Sequence, residues 1–68
     1  MKFKDKIIAL VPSKYVPAIF AQLENEDTPY ELRVGKYMAN KRRVTIYCHE
    51  GSRIHFTGIV APFHNAPL

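Results

Sequence analysis

The sequence predicts an α+β domain in which three short helices precede a β-hairpin. Three observations support this fold class. Apolar residues recur at helical spacing in the first part of the chain, residues 28–40 begin with strong helix-start signals, and after residue 43 the apolar spacing changes to every second residue. A chain of 68 residues has room for one domain with a small core, so residues 1–68 are predicted to form a single unit.

The first helix is predicted over residues 3–11. One apolar stripe at positions i, i+4, i+7 and i+8 supports it, formed by Phe3, Ile7, Leu10 and Val11. The helix would end before Pro12, because the residue that precedes a proline avoids the helical backbone region. The same segment contains an unbroken apolar run over residues 7–11, which fits a buried strand equally well.

The second helix is predicted to begin at Pro17 and to bury Ile19, Phe20 and Leu23. The acidic run at residues 24–27 would end it. Four adjacent polar residues of this kind are typical of a solvated turn rather than of a catalytic or metal site.

The third helix, over residues 28–40, determines how the chain is interpreted. Thr28 and Glu31 have the spacing of a capping box, and Pro29 falls at the first helical position. An apolar stripe then follows, formed by Tyr30, Val34, Tyr37 and Met38. The alternation of residues 30–34 equally has the period of a strand, which would bury Leu32, and Gly35 costs a helix about 1 kcal/mol relative to alanine.

A β-hairpin is predicted over residues 43–59. Val44, Ile46 and Cys48 alternate with polar residues, residues 50–52 form a turn, and Ile54 and Phe56 alternate again. Residues 61–68 are predicted to be an irregular tail.

The positive charge is unevenly distributed along the sequence. The net charge is +4, and residues 1–27 carry equal numbers of basic and acidic side chains. Residues 28–68 carry six basic and two acidic side chains, so the whole excess surrounds the third helix and the hairpin. Such an excess is the electrostatic footprint expected of a phosphate-binding surface.

This order of elements resembles the winged helix-turn-helix family of DNA-binding domains. Residues 17–23 would be the first helix of the motif, residues 28–40 the recognition helix, and residues 43–49 and 53–59 the wing. The turn between the two motif helices is longer and more acidic than the compact turn usual in that family. The resemblance implies that the recognition helix enters the major groove of duplex DNA and that the wing contacts the DNA backbone or the minor groove.

The resemblance also implies which side chains contact DNA. The groove-facing residues would be Leu32, Arg33, Lys36, Ala39 and Asn40, with Leu32 against a thymine methyl and the arginine, lysine and asparagine on base edges. Lys41, Arg42 and Arg43 would contact phosphates, and Arg53 would contact a phosphate or the minor groove. The expected protein is a small regulator of transcription or recombination, of phage or mobile-element type. It would bind duplex DNA as a homodimer with half-sites about 34 Å apart, or multiples of that distance.

Other classes of function have weaker support in the sequence. Cys48 and His49 are adjacent, so on a strand they face opposite ways, and with His55 they lack the spacing of a zinc site. Neither a catalytic arrangement nor a cofactor motif is present, and so short a chain would struggle to enclose a substrate. A single cysteine excludes an internal disulfide, and the apolar run at residues 7–11 is too short to span a membrane, so a cytoplasmic protein is expected.

The alternative fold is a small β-α-β-β-β sheet with one helix, in which residues 7–11 and 30–38 are strands. Such a domain would be a protein-binding module or an inhibitor that docks on an acidic host protein through a sheet face or edge.

Aromatic residues among the basic ones, at Tyr37, Tyr47 and His55, could instead stack single-stranded bases, although cross-strand packing explains them more simply.

Overall fold

Three antiparallel strands form one layer of the fold, and two helices pack against one face of this sheet. The computed structural model describes residues 3–38 and 40–67, except for the side chain of Tyr37. The strands are β1 (Asp5–Pro12), β2 (Tyr30–Met38) and β3 (Lys41–Cys48), and the helices are α1 (Val16–Leu23) and α2 (Arg53–Val60). Single turns of 3-10 helix, Ser13–Tyr15 and Glu50–Ser52, lead into the two helices.

Strand β3 lies in the middle of the sheet, in the order β1-β3-β2. Ile46 faces Ile7 of β1 on one side and Leu32 of β2 on the other. Alternate side chains of β3 are buried beneath the helices, namely Val44, Ile46 and Cys48. The helices complete this core with Ile19, Leu23, Phe56 and Val60. The opposite face of the sheet carries neither helix and is called the open face below.

The predicted helix over residues 28–40 is wrong, because most of this segment is strand β2. Leu32 packs against the core, where a helix would have exposed it. The predicted capping box does not form either: the backbone N–H of Thr28 donates to Glu26 at 3.4 Å, and the carboxylate of Glu31 accepts from an arginine side chain. Pairing with β3 and burial of Leu32 therefore outweighed the local helix-start signals.

The predicted helix over residues 3–11 is also wrong, because residues 5–12 form β1. The apolar run alternates between the two faces of the sheet. Ala9 and Val11 are buried under the helices, whereas Ile8 on the open face is 49% exposed. The alternative prediction of a buried strand was correct here. Residues 7–11 are all apolar, so they match the spacing of a helix as well as that of a strand.

The predicted hairpin over residues 43–59 is half wrong. Its first strand is confirmed as β3, but residues 53–60 are helix α2, so the three-helix fold with a terminal wing does not exist. The hairpin of this fold instead joins β2 to β3, and the chain turns between Met38 and Lys41. The helix predicted from Pro17 to Leu23 is confirmed as α1 with Ile19 and Leu23 buried, but the predicted burial of Phe20 is wrong, because its side chain is 43% exposed. The element order is β-α-β-β-α, closer to the alternative small sheet.

The segment after α2 returns to the free edge of β1. The backbone N–H of Asn65 donates to the carbonyl oxygen of Leu10 at 2.8 Å, and the N–H of Leu10 donates to Nδ1 of His64 at 3.0 Å. Asn65 adopts a left-handed backbone with φ of 54°, a conformation that asparagine tolerates well. These bonds cover part of the β1 edge.

Neither α1 nor α2, each eight residues long, could cross a membrane, and the described residues contain no other α-helix.

Phe56 is the largest side chain that is fully enclosed between the helices and the sheet. We expect Phe56→Ala to lower the free energy of unfolding by about 3–5 kcal/mol, because it removes apolar contacts and leaves a cavity. A domain of this size has a total stability of the order of 3–10 kcal/mol, so the variant should be largely unfolded at modest urea concentrations. The matched control is Ile54→Ala on the same helix, where the side chain is 88% exposed and the change should stay within about 0.5 kcal/mol. Equal losses in the two variants would contradict this packing.

Candidate nucleic-acid interface

Four basic side chains lie together where β2 turns into β3, at what is called the hairpin end of the sheet. They form the basic cluster, which consists of Lys36, Lys41, Arg42 and Arg43. The sheet register brings them together: Lys36 is directly opposite Arg42, Met38 is opposite Lys41, and Gly35 is opposite Arg43. None of the four makes an ion pair within the part of the chain that is described.

The basic cluster presents charge on both faces of the sheet. Successive side chains of a strand point to opposite faces, and Val44 of β3 is on the helix side. Arg42 and its neighbour Lys36 are therefore on the helix side, whereas Lys41 and Arg43 are on the open face. An anionic partner at the hairpin end would meet cations on two sides.

The acidic residues lie at the other end of the sheet. Asp5 and Glu31 are among the first residues of β1 and β2, and Glu50 follows β3. The other three, Glu24, Glu26 and Asp27, lie between α1 and β2. β3 runs from Lys41 to Cys48 between the two ends, so the charges are separated by roughly 20–25 Å. The molecule is thus electrically polarised along its strands.

Ion pairs neutralise part of the acidic end. Arg53 donates to Asp5 at 3.2 Å, Arg33 to Glu31 at 3.0 Å, and His55 lies 2.8 Å from the carboxylate of Glu26. The hydrogen bond from His55 lowers the pKa of Glu26 below its ordinary value of 4.5. Two of these pairs join α2 to other segments, to β1 through Asp5 and to the chain before β2 through Glu26, whereas the pair of Arg33 lies within β2. All three lie away from the basic cluster.

Lys36 and Arg42 are like charges directly opposite each other across two paired strands. Such an arrangement destabilises a sheet by some tenths of a kcal/mol. The described residues place no carboxylate at the hairpin end to offset this repulsion. A locally unfavourable pair without a structural compensation is typical of a functional surface, where an external anion would relieve the repulsion.

The fold separates the DNA-binding residues predicted from the sequence into two groups. Those at the hairpin end are Lys36, Asn40, Lys41, Arg42 and Arg43. Arg33 lies on the open face beside Glu31, and Arg53 begins α2 at the acidic end. Leu32 is half-buried against the core, so the groove-facing helix surface that was to carry it does not exist.

The sequence reasoning missed Lys14, which the fold brings to the hairpin end. The backbone N–H of Ser13 donates to the carbonyl oxygen of Asn40 at 2.8 Å and so fixes the segment after β1 beside the turn. Pro12, Ser13, Lys14 and Asn40 line a shallow cleft there. No local signal identifies Lys14, because its position depends on β1 and β3 pairing over their full length.

The open face does not gather the predicted aromatic residues into a stacking platform. Tyr47 is on this face with the guanidinium of Arg33 at 6.0 Å from its ring centre. His55 is on α2 and belongs to the acidic end, and the side chain of Tyr37 lies outside the described residues.

The predicted interpretation of Cys48 as a small core residue is confirmed. Its side chain is fully buried, and burial raises the pKa of the thiol. His49 packs its ring at 4.9 Å from that of Phe3, while His55 contacts Glu26, so these three side chains do not converge. Across residues 3–38 and 40–67, no group of three potential ligands is placed to hold a metal ion.

No protein-family model, no curated protein and no solved structure matches this chain.

The repulsion between Lys36 and Arg42 leads to a prediction about stability. Lys36→Glu should raise the free energy of unfolding by about 0.5 kcal/mol, because it replaces a like-charge pair by an opposite-charge pair across the strands. The measurement is the urea midpoint at low ionic strength. Lys4→Glu, which makes the same charge change at the acidic end, should give no gain. A destabilised Lys36→Glu variant would show that the two charges do not repel in the folded protein.

Proposed function

We propose that this protein binds duplex nucleic acid, DNA in the first instance, through phosphate contacts made by the basic cluster. The observation that carries the proposal is the segregation of charge. Five of the ten lysines and arginines, the basic cluster and Lys14, lie at the hairpin end, and all six acidic side chains lie elsewhere. Lysine and arginine contacts of this kind supply sequence-independent affinity by releasing counterions from the phosphate backbone.

The shape of the hairpin end favours contacts with the backbone over reading of bases. Pro12 of β1 is opposite Lys41 of β3, so β1 accompanies the hairpin nearly to its turn. The two-stranded ribbon therefore projects too little to reach deep into a groove. Asn40, which is exposed at the turn, is the residue best placed to touch a base edge.

We propose a duplex as the ligand and not a single strand, because single-strand binding relies on exposed aromatic rings next to cations. Two aromatic side chains, Tyr15 and Phe63, lie beside the hairpin end with their ring centres 5.7 Å apart, and Nζ of Lys14 lies 5.1 Å from the centre of the Tyr15 ring. Both rings are half-buried against the core and against each other, so they offer little surface on which a base could stack. The cations of this end therefore suit the regular phosphates of a duplex better than a stacked single strand. The protein would act by occupying nucleic acid, without catalysis. Such action is expected of a small cytoplasmic regulator of transcription or recombination, of the phage or mobile-element type.

An acidic protein surface is the second candidate partner. The charged end would complement it equally well, and electrostatic complementarity of this kind raises association rates. An acidic protein lacks the condensed counterions of a duplex, so the dependence of affinity on salt separates the two.

The test is the affinity for a random-sequence duplex, measured by fluorescence anisotropy at several salt concentrations. Four phosphate contacts per bound chain predict a slope of log K against log salt of about −3.6. The double variant Lys36→Gln/Arg43→Gln should bring that slope to about −1.8 and weaken binding at low salt. The control Lys4→Gln/Lys6→Gln removes two charges far from the hairpin end and should leave the slope nearly unchanged.

Two results would contradict the proposal. One is an absence of duplex binding at low salt. The other is an equal loss in the two double variants, which would mean that net charge matters and the position of the basic cluster does not.

A further inference from the structure

Strand β2 is an open edge of the sheet. Its inner side pairs with β3 over residues 30–38, and nothing in the described chain bonds to its outer side. The other edge, β1, is partly covered by the segment that follows α2. An uncovered edge of this length is a ready template for another strand.

The sequence of β2 is complementary to itself when it is read in the antiparallel direction. If two copies pair with Leu32 opposite Leu32, Tyr30 meets Val34 and Glu31 meets Arg33, each of them twice. The alternation of the strand places the apolar pairs on the helix side and the charged pairs on the open face. Val34 is 39% exposed on its own, so this pairing would cover an apolar side chain that the single chain leaves in contact with solvent.

Neighbouring registers lack this complementarity. A shift of the centre to Arg33 places that arginine opposite its own copy, and a shift to Glu31 places two carboxylates face to face. Like charges directly opposite are destabilising. Pro29 limits the pairing at one end because it cannot donate to a ladder, and the irregularity between Lys36 and Met38 limits it at the other.

We propose that a second copy of this chain pairs with β2 in the antiparallel direction, centred on Leu32, to give a six-stranded sheet. The two hairpin ends then lie at opposite ends of this sheet. Equivalent cations of the basic cluster are separated by roughly 25–40 Å, from strand rise and strand spacing. If the proposed function holds, this spacing suits two contacts about 34 Å apart, one turn along a duplex.

The experiment is sedimentation equilibrium on the protein alone, with three samples besides the wild type. These are Arg33→Glu, Glu31→Arg and an equimolar mixture of the two. Glu31 and Arg33 have side chains that are 51% and 70% exposed, so neither change disturbs the core. Circular dichroism verifies that each variant is folded.

The wild type should show a concentration-dependent dimer. Each single variant opposes like charges across the interface and should dissociate about tenfold more readily. In the mixture, arginines at 31 and 33 of one chain face glutamates of the other, so the dimer should re-form. The ion pair within one chain cannot produce this rescue, because neither chain of the mixture contains it.

A wild type that stays monomeric, or single variants that dimerise as tightly as the wild type, would overturn the proposal. So would a mixture that stays monomeric while both variants remain folded. Nucleic acid is absent from these samples, so a failure here leaves the basic cluster untested. Conversely, a dimer that does not bind duplex would contradict only the proposed function.

Discussion

Pairing of β3 on both of its edges is the constraint from which the rest of the structure follows. Its eight residues bond to β1 on one side and to β2 on the other, and its alternate side chains are buried under two helices. Ile46 and Cys48 make no contact with solvent. In so small a domain one such strand supplies much of the core, and the helices have to lie where they cover it.

The distribution of charge is a consequence of this topology. Because β1 and β2 both run antiparallel to β3, the segments before β1, before β2 and after β3 meet at one end of the sheet. The acidic residues occupy those segments, whereas the residues around the β2–β3 turn are basic. A linear sequence with an evenly balanced first part and a basic second part is thereby converted into a molecule with an acidic end and a basic end.

Local signals in the sequence were reliable where they agreed with burial and failed where they did not. The alternation of Val44, Ile46 and Cys48 and the apolar face of α1 identified their elements correctly. The helix-start signals at Thr28 and Pro29 did not, because burial of Leu32 requires the long-range pairing with β3. In α2, the positions Phe56, Ile59 and Val60 have helical spacing, but the shorter alternation of Ile54 and Phe56 suggested a strand. The basic half of the chain was identified from composition, whereas the grouping of its residues at one end and the inclusion of Lys14 depend on the sheet register.

Hydrogen exchange of individual amides, followed by NMR on a dilute sample, tests the central place of β3 most directly. We expect slow exchange for every amide from Arg42 to Cys48, and alternating slow and fast exchange along Tyr30–Met38, where only one side of the strand is paired. Uniform protection over residues 28–40 with helical short-range contacts, together with fast exchange at every second amide of β3, would contradict it.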